Sequence, residues 1–559
     1  MRRARPSFQF LRNCLLIVLL ATIVALQPVL LLPAWAGEAV DLEMITRIRQ
    51  EGFRNSKVME TASELMDRIG PRLTGSPNIK KANEWTRDQL AKWGLVNARL
   101  ESWGPFGRGW SNEFTSVRML TPYPAPLIAL PKAWTPGTQG PLRAKAVKVR
   151  LQAKEDLEKQ KGKLAGKIVL IADMREVRPH AEAELRRYDD KALEEIARFQ
   201  IGPARPPFDR EEFFRRREFQ NVLNKFLAEE KALAAIEPGR GDGGTVFVAA
   251  GGPYRKGEPT GMPSLVMAVE HYGRIARLLD RNVDVELELD IRNEFYDGDE
   301  MAYNTVAEIP GTDKKDEVVM LGAHIDSWHG GTGATDNGAG VAVTMEAVRI
   351  LQALGVKLRR TVRVGLWSGE EQGLLGSRAY VSQHFASRPE PKDAAERGAP
   401  DMLRRDQGPL TFKPEHAKIS AYFNYDNGTG KIRGVYCQEN AAVRPIFEAW
   451  IEPLKDLGIT TVSLRNTSGT DHMSFDAVGI PGFQFIQDEV EYSTRTHHSN
   501  MDVYERLQRE DLMQASVVMA AFVYHAAMRD QMLPRKPLPK GEPPRPEQPK
   551  REAPRPTSR

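Results

Sequence analysis

The sequence predicts an α/β protein: a three-layer αβα sandwich built on a mixed sheet, with a β-rich domain inserted into it. A chain of 559 residues is too long for one ordinary domain, so two or more are expected. From about residue 300, apolar strand-like runs alternate with amphipathic helical segments, which is typical of a sheet covered by helices. Residues 125–290 instead contain short β-rich runs separated by turns, which indicates a separate insert.

Residues 1–36 have the pattern of a signal peptide. Four arginines precede an apolar run from Cys14 to Leu32, and Ala34-Trp35-Ala36 fits a small-residue cleavage site. We therefore expect an exported protein, periplasmic or extracellular, with no stable membrane span after cleavage. The alternative is an N-terminal membrane anchor, because about 19 apolar residues can just cross a bilayer.

Charge and cysteine content exclude a basic nucleic-acid-binding surface and a disulfide framework. The net charge is +5, but residues 1–36 carry +4 and residues 531–559 another +5, which leaves −4 for the body of the chain. Without the segment that contains Cys14, Cys437 is alone, so we predict a buried, unreactive thiol. Nine prolines among residues 531–559 predict a disordered tail.

The first half of the chain is divided between the sandwich and the insert. Residues 38–124 form the first part of the sandwich domain, with helices over 38–95 broken by a loop rich in Gly and Pro at 70–77. The insert carries a charged helical insertion at 176–235. Its predicted strands are 146–151, 167–171 and 245–249, and its predicted helices are 184–198 and 211–235.

The main part of the sandwich domain spans residues 295–530 and alternates strands with helices. The predicted strands are 318–323, 361–367, 419–425 and 483–486, and the predicted helices between and after them are 339–354, 372–385, 441–457 and 511–528. Alternation of this kind predicts a largely parallel or mixed sheet.

Acidic and imidazole side chains follow three of these strands. His324 and Asp326 come after the first strand, Glu370 and Glu371 after the second, and Asp426 after the third. The carboxyl ends of strands converge in an open α/β sheet, so these residues are expected to share one cleft. Nitrogen and oxygen donors in one cleft suit a metal site.

The donor set is sufficient for two metal ions. A dinuclear site needs a carboxylate that bridges both ions, and Asp336, followed by the flexible Asn337-Gly338-Ala339-Gly340, is the natural bridge. His324 and Asp426 would complete one site, and Glu371 and His498 the other. Imidazole with carboxylate favours zinc, so we predict two Zn²⁺ per chain.

Two further residues are assigned to catalysis. Neighbouring side chains of an extended backbone point apart, so Glu371 can bind metal while Glu370 faces the water. Glu370 is therefore predicted to be the general base that helps a water held between the metals attack a carbonyl. Asp326 is predicted to hold the second imidazole nitrogen of His324.

Several histidines and a tyrosine are further candidates for the site. His497 and His498 are both candidate ligands; the family resemblance given below favours His498, because Ser499 and Asp502 follow it in the family's spacing. His472 and Tyr492 are candidates for contacts with substrate, although a local hydrogen bond in a loop explains His472 equally well. His329 is expected to lie behind the site or to face solvent.

The motifs resemble those of the M28 family of co-catalytic zinc exopeptidases. The resemblance rests on His324-Ile325-Asp326-Ser327-Trp328, Gly333-Ala334-Thr335-Asp336-Asn337-Gly338, Leu366-Trp367-Ser368-Gly369-Glu370-Glu371-Gln372-Gly373 and His497-His498-Ser499 with Asp502. It implies a zinc-exopeptidase sandwich with the same five ligands and Glu370 as base. It also implies that the insert is a protease-associated (PA) domain and that the Asp336-Asn337 peptide is cis.

The function expected from this resemblance is hydrolysis of short peptides by an exopeptidase similar to dipeptidases or carboxypeptidases. A homodimer is consistent with it. An aminopeptidase is the near alternative, because it uses the same metal core. A glutaminyl cyclase, which uses one zinc, and a non-catalytic receptor-like ectodomain are the more distant alternatives.

Overall fold

The computed structural model describes residues 37–199, 210–391 and 408–538, and from Val40 onward the chain forms one compact unit. The predicted signal peptide and the tail beyond residue 538 lie outside the described residues. The described helices are α1 (Leu42–Arg54), α2 (Val58–Ser63), α3 (Pro77–Lys92), α4 (Lys154–Gln160), α5 (Asp190–Ala197), α6 (Arg210–Glu229), α7 (Val269–Asp280), α8 (Ala339–Ala353), α9 (Leu375–His384), α10 (Arg444–Ile451), α11 (His472–Asp476) and α12 (Arg509–Met528).

The described strands form two large sheets and one short pair. They are β1 (Val96–Trp103), β2 (Gly109–Thr121), β3 (Ala125–Pro126), β4 (Ala129–Pro131), β5 (Leu142–Lys148), β6 (Ile168–Leu170), β7 (Ala234–Pro238), β8 (Ser264–Met267), β9 (Glu286–Tyr296), β10 (Ala302–Ile309), β11 (Lys314–His324), β12 (Arg360–Trp367), β13 (Ala386–Ser387), β14 (Thr411–Phe412), β15 (Ile419–Asn424), β16 (Ile432–Tyr436), β17 (Thr461–Ser463) and β18 (Gly482–Gln487).

The first sheet is mixed, as predicted. Within the described chain its strand order is β1-β10-β12-β11-β15-β18-β16-β17. The central strands β12, β11, β15 and β18 are parallel, whereas β10 runs antiparallel to both of its neighbours and β16 runs antiparallel to β18. The apolar run of β11 is buried on both faces, which is typical of a parallel strand between two helix layers.

Helices cover both faces of this sheet. One core lies between the sheet and α1, α8 and α12, and a second lies between the sheet and α9 and α11. Helix α12 is long and apolar enough to cross a membrane, the one such helix within the described ranges, but 89% of its most apolar window is buried. Burial in the core explains its composition, because a helix surrounded by protein is apolar on every face.

The aromatic centre of the first core should contribute strongly to stability. The ring of Phe522 is fully buried, and its centroid lies 5.3 Å from that of Phe485 and 5.5 Å from that of Trp450. We expect Phe522→Ala to lower the free energy of unfolding by roughly 3–5 kcal/mol, because it removes a ring and leaves a cavity. Urea unfolding measures the loss. Phe412→Ala, at a ring that is 46% exposed, should change it by less than about 1 kcal/mol.

The inserted unit is built on the second sheet, whose order is β3-β2-β9-β5-β6-β7-β8-β4 in the described residues. The long antiparallel pair β2 and β9 belongs to this sheet, so the insert spans about residues 109–296 and the predicted boundaries 125 and 290 are too narrow. Strand β2 is half-exposed and polar on one face, which explains why the apolar pattern missed it.

Other predicted boundaries in the first half also move. Strands 146–151 and 167–171 correspond to β5 and β6, but residues 245–249 form no strand of the second sheet. The first helix of the charged insertion is limited to α5, because Arg186 instead pairs with Val490 as an extended segment.

The disordered tail predicted from residue 531 begins too early. Leu533 is buried and donates its N–H to Ser420 Oγ at 3.0 Å, and Lys536 Nζ lies 2.8 Å from Asp476 Oδ1. Residues 531–538 therefore pack on the folded unit, held by an apolar anchor and an ion pair that composition alone does not reveal.

Candidate metal centre

The predicted donors meet at the carboxyl ends of three adjacent parallel strands. His324 is the last residue of β11, Glu370 and Glu371 follow β12 by three and four residues, and Asp426 follows β15 by two. These strands are neighbours in the order β12-β11-β15, so their ends bring the three loops to one place.

The carboxylate of Asp336 lies at the centre of the cluster. His324 Nε2 is 3.3 Å from Asp336 Oδ1, whereas His498 Nε2 is 3.1 Å from Asp336 Oδ2. Each imidazole also faces a second carboxylate: His324 Nε2 is 3.4 Å from Asp426 Oδ1, and His498 Nε2 is 2.9 Å from Glu371 Oε2. One carboxylate is thus shared between two nitrogen–oxygen pairs, which is the arrangement a bridged two-ion site requires.

The cluster fits cations because buried acceptors in it are left without hydrogen bonds. Asp336 Oδ2, Glu371 Oε1 and Asp426 Oδ1 are buried and accept no hydrogen bond from any described residue. Buried carboxylate oxygens are costly unless a donor or a cation satisfies them. Imidazole nitrogen with carboxylate oxygen is a donor set that zinc prefers.

The loop that presents Asp336 is fixed by its neighbours. The Asp336-Asn337 peptide is cis, as the family resemblance implies. Asn337 Nδ2 donates to the Tyr425 carbonyl at 2.9 Å, and Asn337 Oδ1 accepts the Gly340 N–H at 2.9 Å. A side chain at position 340 would collide with Asn337 and the Tyr425 carbonyl, so glycine is required there for close approach.

Asp502 holds the same loop from the other side. Its carboxylate accepts the Thr335 N–H at 2.6 Å, the Thr335 hydroxyl at 2.8 Å and the Asp336 N–H at 3.2 Å. Burial, reinforced by the charge of Asp336, raises the pKa of Asp502 to about 7. The sequence motif placed Asp502 near His498 but did not indicate that it supports the bridging carboxylate.

Asp326 contacts the second imidazole nitrogen of His324, as predicted, and has a further role as well. The nearest partner of His324 Nδ1 is the main-chain oxygen of Asp326 at 3.0 Å, and the carboxylate is farther away at 3.5 Å. The carboxylate instead accepts the N–H groups of Glu370 and Glu371, both at 3.2 Å, and the Thr74 hydroxyl at 2.9 Å. Asp326 therefore positions the turn that carries both glutamates.

Arg72 braces the loop that follows His324 and is not placed to meet substrate. It is fully buried and donates to the carbonyls of Ile325, Thr332 and Gly333 at 2.8 Å each. Burial lowers the pKa of its guanidinium to about 10, although the nearby Asp502, Asp326 and Asp336 oppose this shift. The carbonyl contacts explain why a charged side chain is tolerated in the interior.

The acidic residues of the centre differ in the direction in which their pKa is shifted. Burial raises the pKa of Glu371 to about 7 with the help of Asp336. Burial also raises the pKa of Glu370 well above its ordinary value, although His324 opposes the shift. Asp336 behaves in the opposite way: burial alone would raise its pKa, but His324 and His498 hold it well below the usual range.

The surroundings of His324 and His498 raise the pKa of both imidazoles. Burial disfavours charge on His498, but Glu371 and Asp336 outweigh it and raise its pKa to about 10. For His324, burial is likewise outweighed by Asp426 and Glu370, which raise its pKa well above the ordinary value. Metal binding must therefore displace protons from this centre.

Chelator-treated protein should lose stability as the pH rises from about 7 to 9. The folded chain keeps the His498 proton up to a pH of about 10, whereas an unfolded histidine releases it near 6.5. The folded state thus binds more protons in this interval, and the free energy of unfolding falls by at most about 1.4 kcal/mol per pH unit for one group. Urea titrations at several pH values measure how the free energy of unfolding changes with pH. A free energy of unfolding that rises between pH 7 and 9 would contradict the prediction.

The remaining predicted residues have distinct environments. His497 Nε2 is 3.7 Å from Asp336 Oδ2, farther than His498, and its ring lies 3.7 Å from the His498 ring. His472 is buried, with Nε2 at 3.1 Å from the Thr467 carbonyl, and burial lowers its pKa to about 4. His329 is half-buried, with Nε2 at 2.8 Å from the Pro131 carbonyl.

Tyr492 lies close to the acidic cluster. Burial first, then the charges of Asp336, Asp426 and Glu371, raise the pKa of its hydroxyl well above the ordinary value. Its ring centroid is 4.8 Å from that of His497. The phenol therefore stays protonated near the centre and can donate a hydrogen bond.

Asp471 is a buried acid beside the centre whose role the sequence left open. Burial raises its pKa to about 7, and the neighbouring Asp426 adds to this shift while His324 opposes it. The side chain of Asp471, which directly precedes α11, makes no capping hydrogen bond to that helix, although its main-chain carbonyl accepts the Ser474 N–H at 3.0 Å.

Cys437 is buried, as predicted. Burial raises the pKa of its thiol to about 12, so the unreactive thiol form is maintained.

Known proteins share this architecture. Residues 304–523 match the family described as peptidase family M28. Carboxypeptidase Q of Mus musculus is 26% identical over 487 residues, which cover 87% of this chain and 88% of that protein. A peptidase M28 precursor from Shewanella amazonensis SB2B has a TM-score of 0.61 at 25% identity, and the match covers 89% of this chain and 99% of that one. A zinc aminopeptidase from Bacillus subtilis shares the fold, with a TM-score of 0.53 at 19% identity over 85% of this chain and 95% of that one.

The family match contains the whole cluster from His324 to His498. The resemblance drawn from the motifs pointed to carboxypeptidase Q within that family, and a protein of that name is among the relatives. Residues 304–523 therefore match peptidase family M28, and the chain is a metallopeptidase of M28 type.

Proposed function

We propose that the protein is an exported dizinc exopeptidase that hydrolyses short peptides. The observation that carries the proposal is the shared carboxylate of Asp336, whose two oxygens face different imidazoles, each paired with a further carboxylate. A site for a single ion would not need the second pair of imidazole and carboxylate. Export rests on the signal pattern in residues 1–36.

The metal ligands are assigned from these contacts. His324 and Asp426 would hold one zinc, His498 and Glu371 would hold the other, and Asp336 would serve both. Zinc supplies Lewis-acid polarisation of the scissile carbonyl and lowers the pKa of the attacking water. The likeness to a zinc aminopeptidase supports the choice of metal.

Glu370 is proposed to act as the general base and then as the general acid. Its main-chain N–H donates to Asp326, and its carboxyl group lies within reach of the charges of His324 and Asp426. It takes a proton from the attacking water and delivers it to the nitrogen of the departing amine. The protonated hydroxyl of Tyr492 would donate a hydrogen bond to the oxygen that gains negative charge.

The inserted second sheet is proposed to be a PA domain that shapes the approach to the centre. Its aromatic residues Trp110 and Trp134 pack against His329 and Trp328, which follow the ligand His324. The substrate is therefore expected to enter between the two units. The same domain is also proposed to contribute to contacts in a homodimer.

Three matched substrates test the proposed function in zinc-loaded protein: a free dipeptide, its N-blocked form, and an aminoacyl amide. Cleavage of the free dipeptide alone identifies a dipeptidase that requires both termini. Cleavage of the amide as well identifies an aminopeptidase, and cleavage of the blocked form a carboxypeptidase. If two zincs are bound and none of the three is cleaved, the proposal of short peptides is wrong.

A further inference from the structure

The inserted unit makes direct main-chain contact with the loop that carries His498. We call residues 244–248 the contact segment. Val248 donates its N–H to the His498 carbonyl at 2.8 Å, and Asn500 donates its N–H to the Val246 carbonyl at 3.1 Å. Between them, Phe247 and Ser499 pair as an antiparallel bridge. A segment predicted to be a strand of the insert thus pairs with the loop that carries His498 instead.

The side chain of Asn500 completes this contact. Its Oδ1 accepts the Val246 N–H at 2.7 Å, and its Nδ2 donates to the Gly244 carbonyl at 3.2 Å. Both ends of one amide are therefore bound to the contact segment. An apolar side chain would leave the N–H of Val246 and the carbonyl of Gly244 to find other partners.

The backbone at His498 needs such support. Its φ of 63° is in the left-handed region, which a residue with a Cβ rarely adopts unless its surroundings hold it there. The hydrogen bond from the Val248 N–H to the His498 carbonyl holds the backbone at this residue. The ring is further placed by Trp328, 5.8 Å away between centroids, and Trp328 in turn packs on Trp134 of the insert at 6.2 Å.

The opposite side of the loop is held by the sandwich domain. Ser499 donates its N–H to the Thr496 carbonyl at 3.0 Å, and Asp502 binds the loop that carries Asp336. His498 therefore lies between a fixed edge of the sandwich domain and the contact segment. Removal of either side should let its imidazole move away from Glu371.

We infer that Asn500 and the contact segment position His498, so that the inserted unit sets the affinity of the zinc held by His498, Glu371 and Asp336. This inference rests on the proposed two-zinc function. Asn500 is a positioning residue, because it acts through the backbone and touches no reacting atom. The zinc held by His324 and Asp426 should not depend on it.

Zinc content after dialysis against graded concentrations of a chelator tests the inference. Wild-type protein should hold two zincs, and Asn500→Ala should lose one of them at chelator concentrations about 10–100-fold lower, the range typical of outer-shell substitutions. The visible spectrum of the Co²⁺-substituted variant should change for one site and not for the other. Asn112→Ala is the matched control: it removes an amide bonded to Asn293 Oδ1 at 2.8 Å within the second sheet and should keep both zincs.

The outcomes separate the inference from the function on which it rests. If wild type binds two zincs and Asn500→Ala retains both with equal resistance, the positioning role is wrong and the dizinc proposal stands. Loss of both zincs from the variant would contradict a selective role. If wild type itself binds fewer than two, the dizinc proposal fails and the inference falls with it. Circular dichroism at each step shows that the variant remains folded.

Discussion

Glu370→Gln should lower turnover by about 10²–10⁴-fold while zinc content stays at the wild-type value. Glutamine has a side chain of the same size, and the main-chain N–H of residue 370 still donates to Asp326 at 3.2 Å. The side-chain amide, however, cannot take a proton from water. The measurement pairs kcat on the best substrate with zinc analysis of the same sample. The Michaelis constant should change little, because binding of the ground state does not require the proton transfer.

A matched substitution separates the base from a general effect of removing a buried charge. Glu308 is also buried, accepts from Asn97 at 2.7 Å and pairs with Arg363 in the same sheet. Glu308→Gln should reduce stability and leave kcat close to wild type. If Glu370→Gln retains near-wild-type kcat, Glu370 is not the base, and the acidic group that replaces it must be sought among Asp471 and its neighbours.

Asp336→Asn should remove both zincs from tight binding and abolish activity. Each oxygen of this carboxylate faces a different ligand histidine, at 3.3 and 3.1 Å, so no other single residue serves both positions. The loss of zinc affinity should be larger than the loss of about 10–100-fold that is typical of substitutions outside the coordination shell. Competition with a coloured chelator measures it for each zinc.

The corresponding control is Asp476→Asn, which weakens the ion pair with Lys536 away from the centre. It should leave zinc binding unchanged. If Asp336→Asn keeps one zinc with wild-type affinity, Asp336 serves a single ion, and the bridging role is wrong. By contrast, His498→Ala and His324→Ala should each weaken one site far more than the other.

The sequence was most informative where the chain is buried on both sides. Strand β11 and helix α8 were predicted within a few residues, because long apolar runs have one length that fits a strand or a helix. Strands β2 and β9 were missed, since each has one solvent-facing side and their pairing depends on residues about 170 positions apart. The boundaries of the insert were displaced for the same reason.

His324, Glu371 and Asp426 could be predicted because they lie at or just after the ends of adjacent parallel strands, which converge at one edge of the sheet. The supporting residues could not be. Asp326 was predicted to bind His324, but its carboxylate also accepts N–H groups from the turn of Glu370, which depends on how that turn bends. The contact of Val248 with His498 joins residues 250 positions apart and has no signature in the local sequence.

Zinc-edge anomalous diffraction from crystals of the zinc-loaded protein tests the central claim most directly. The account predicts two peaks on opposite sides of the Asp336 carboxylate, one next to His324 and Asp426 and the other next to His498 and Glu371. A single peak, or two peaks of which neither touches Asp336, would contradict the two-zinc centre.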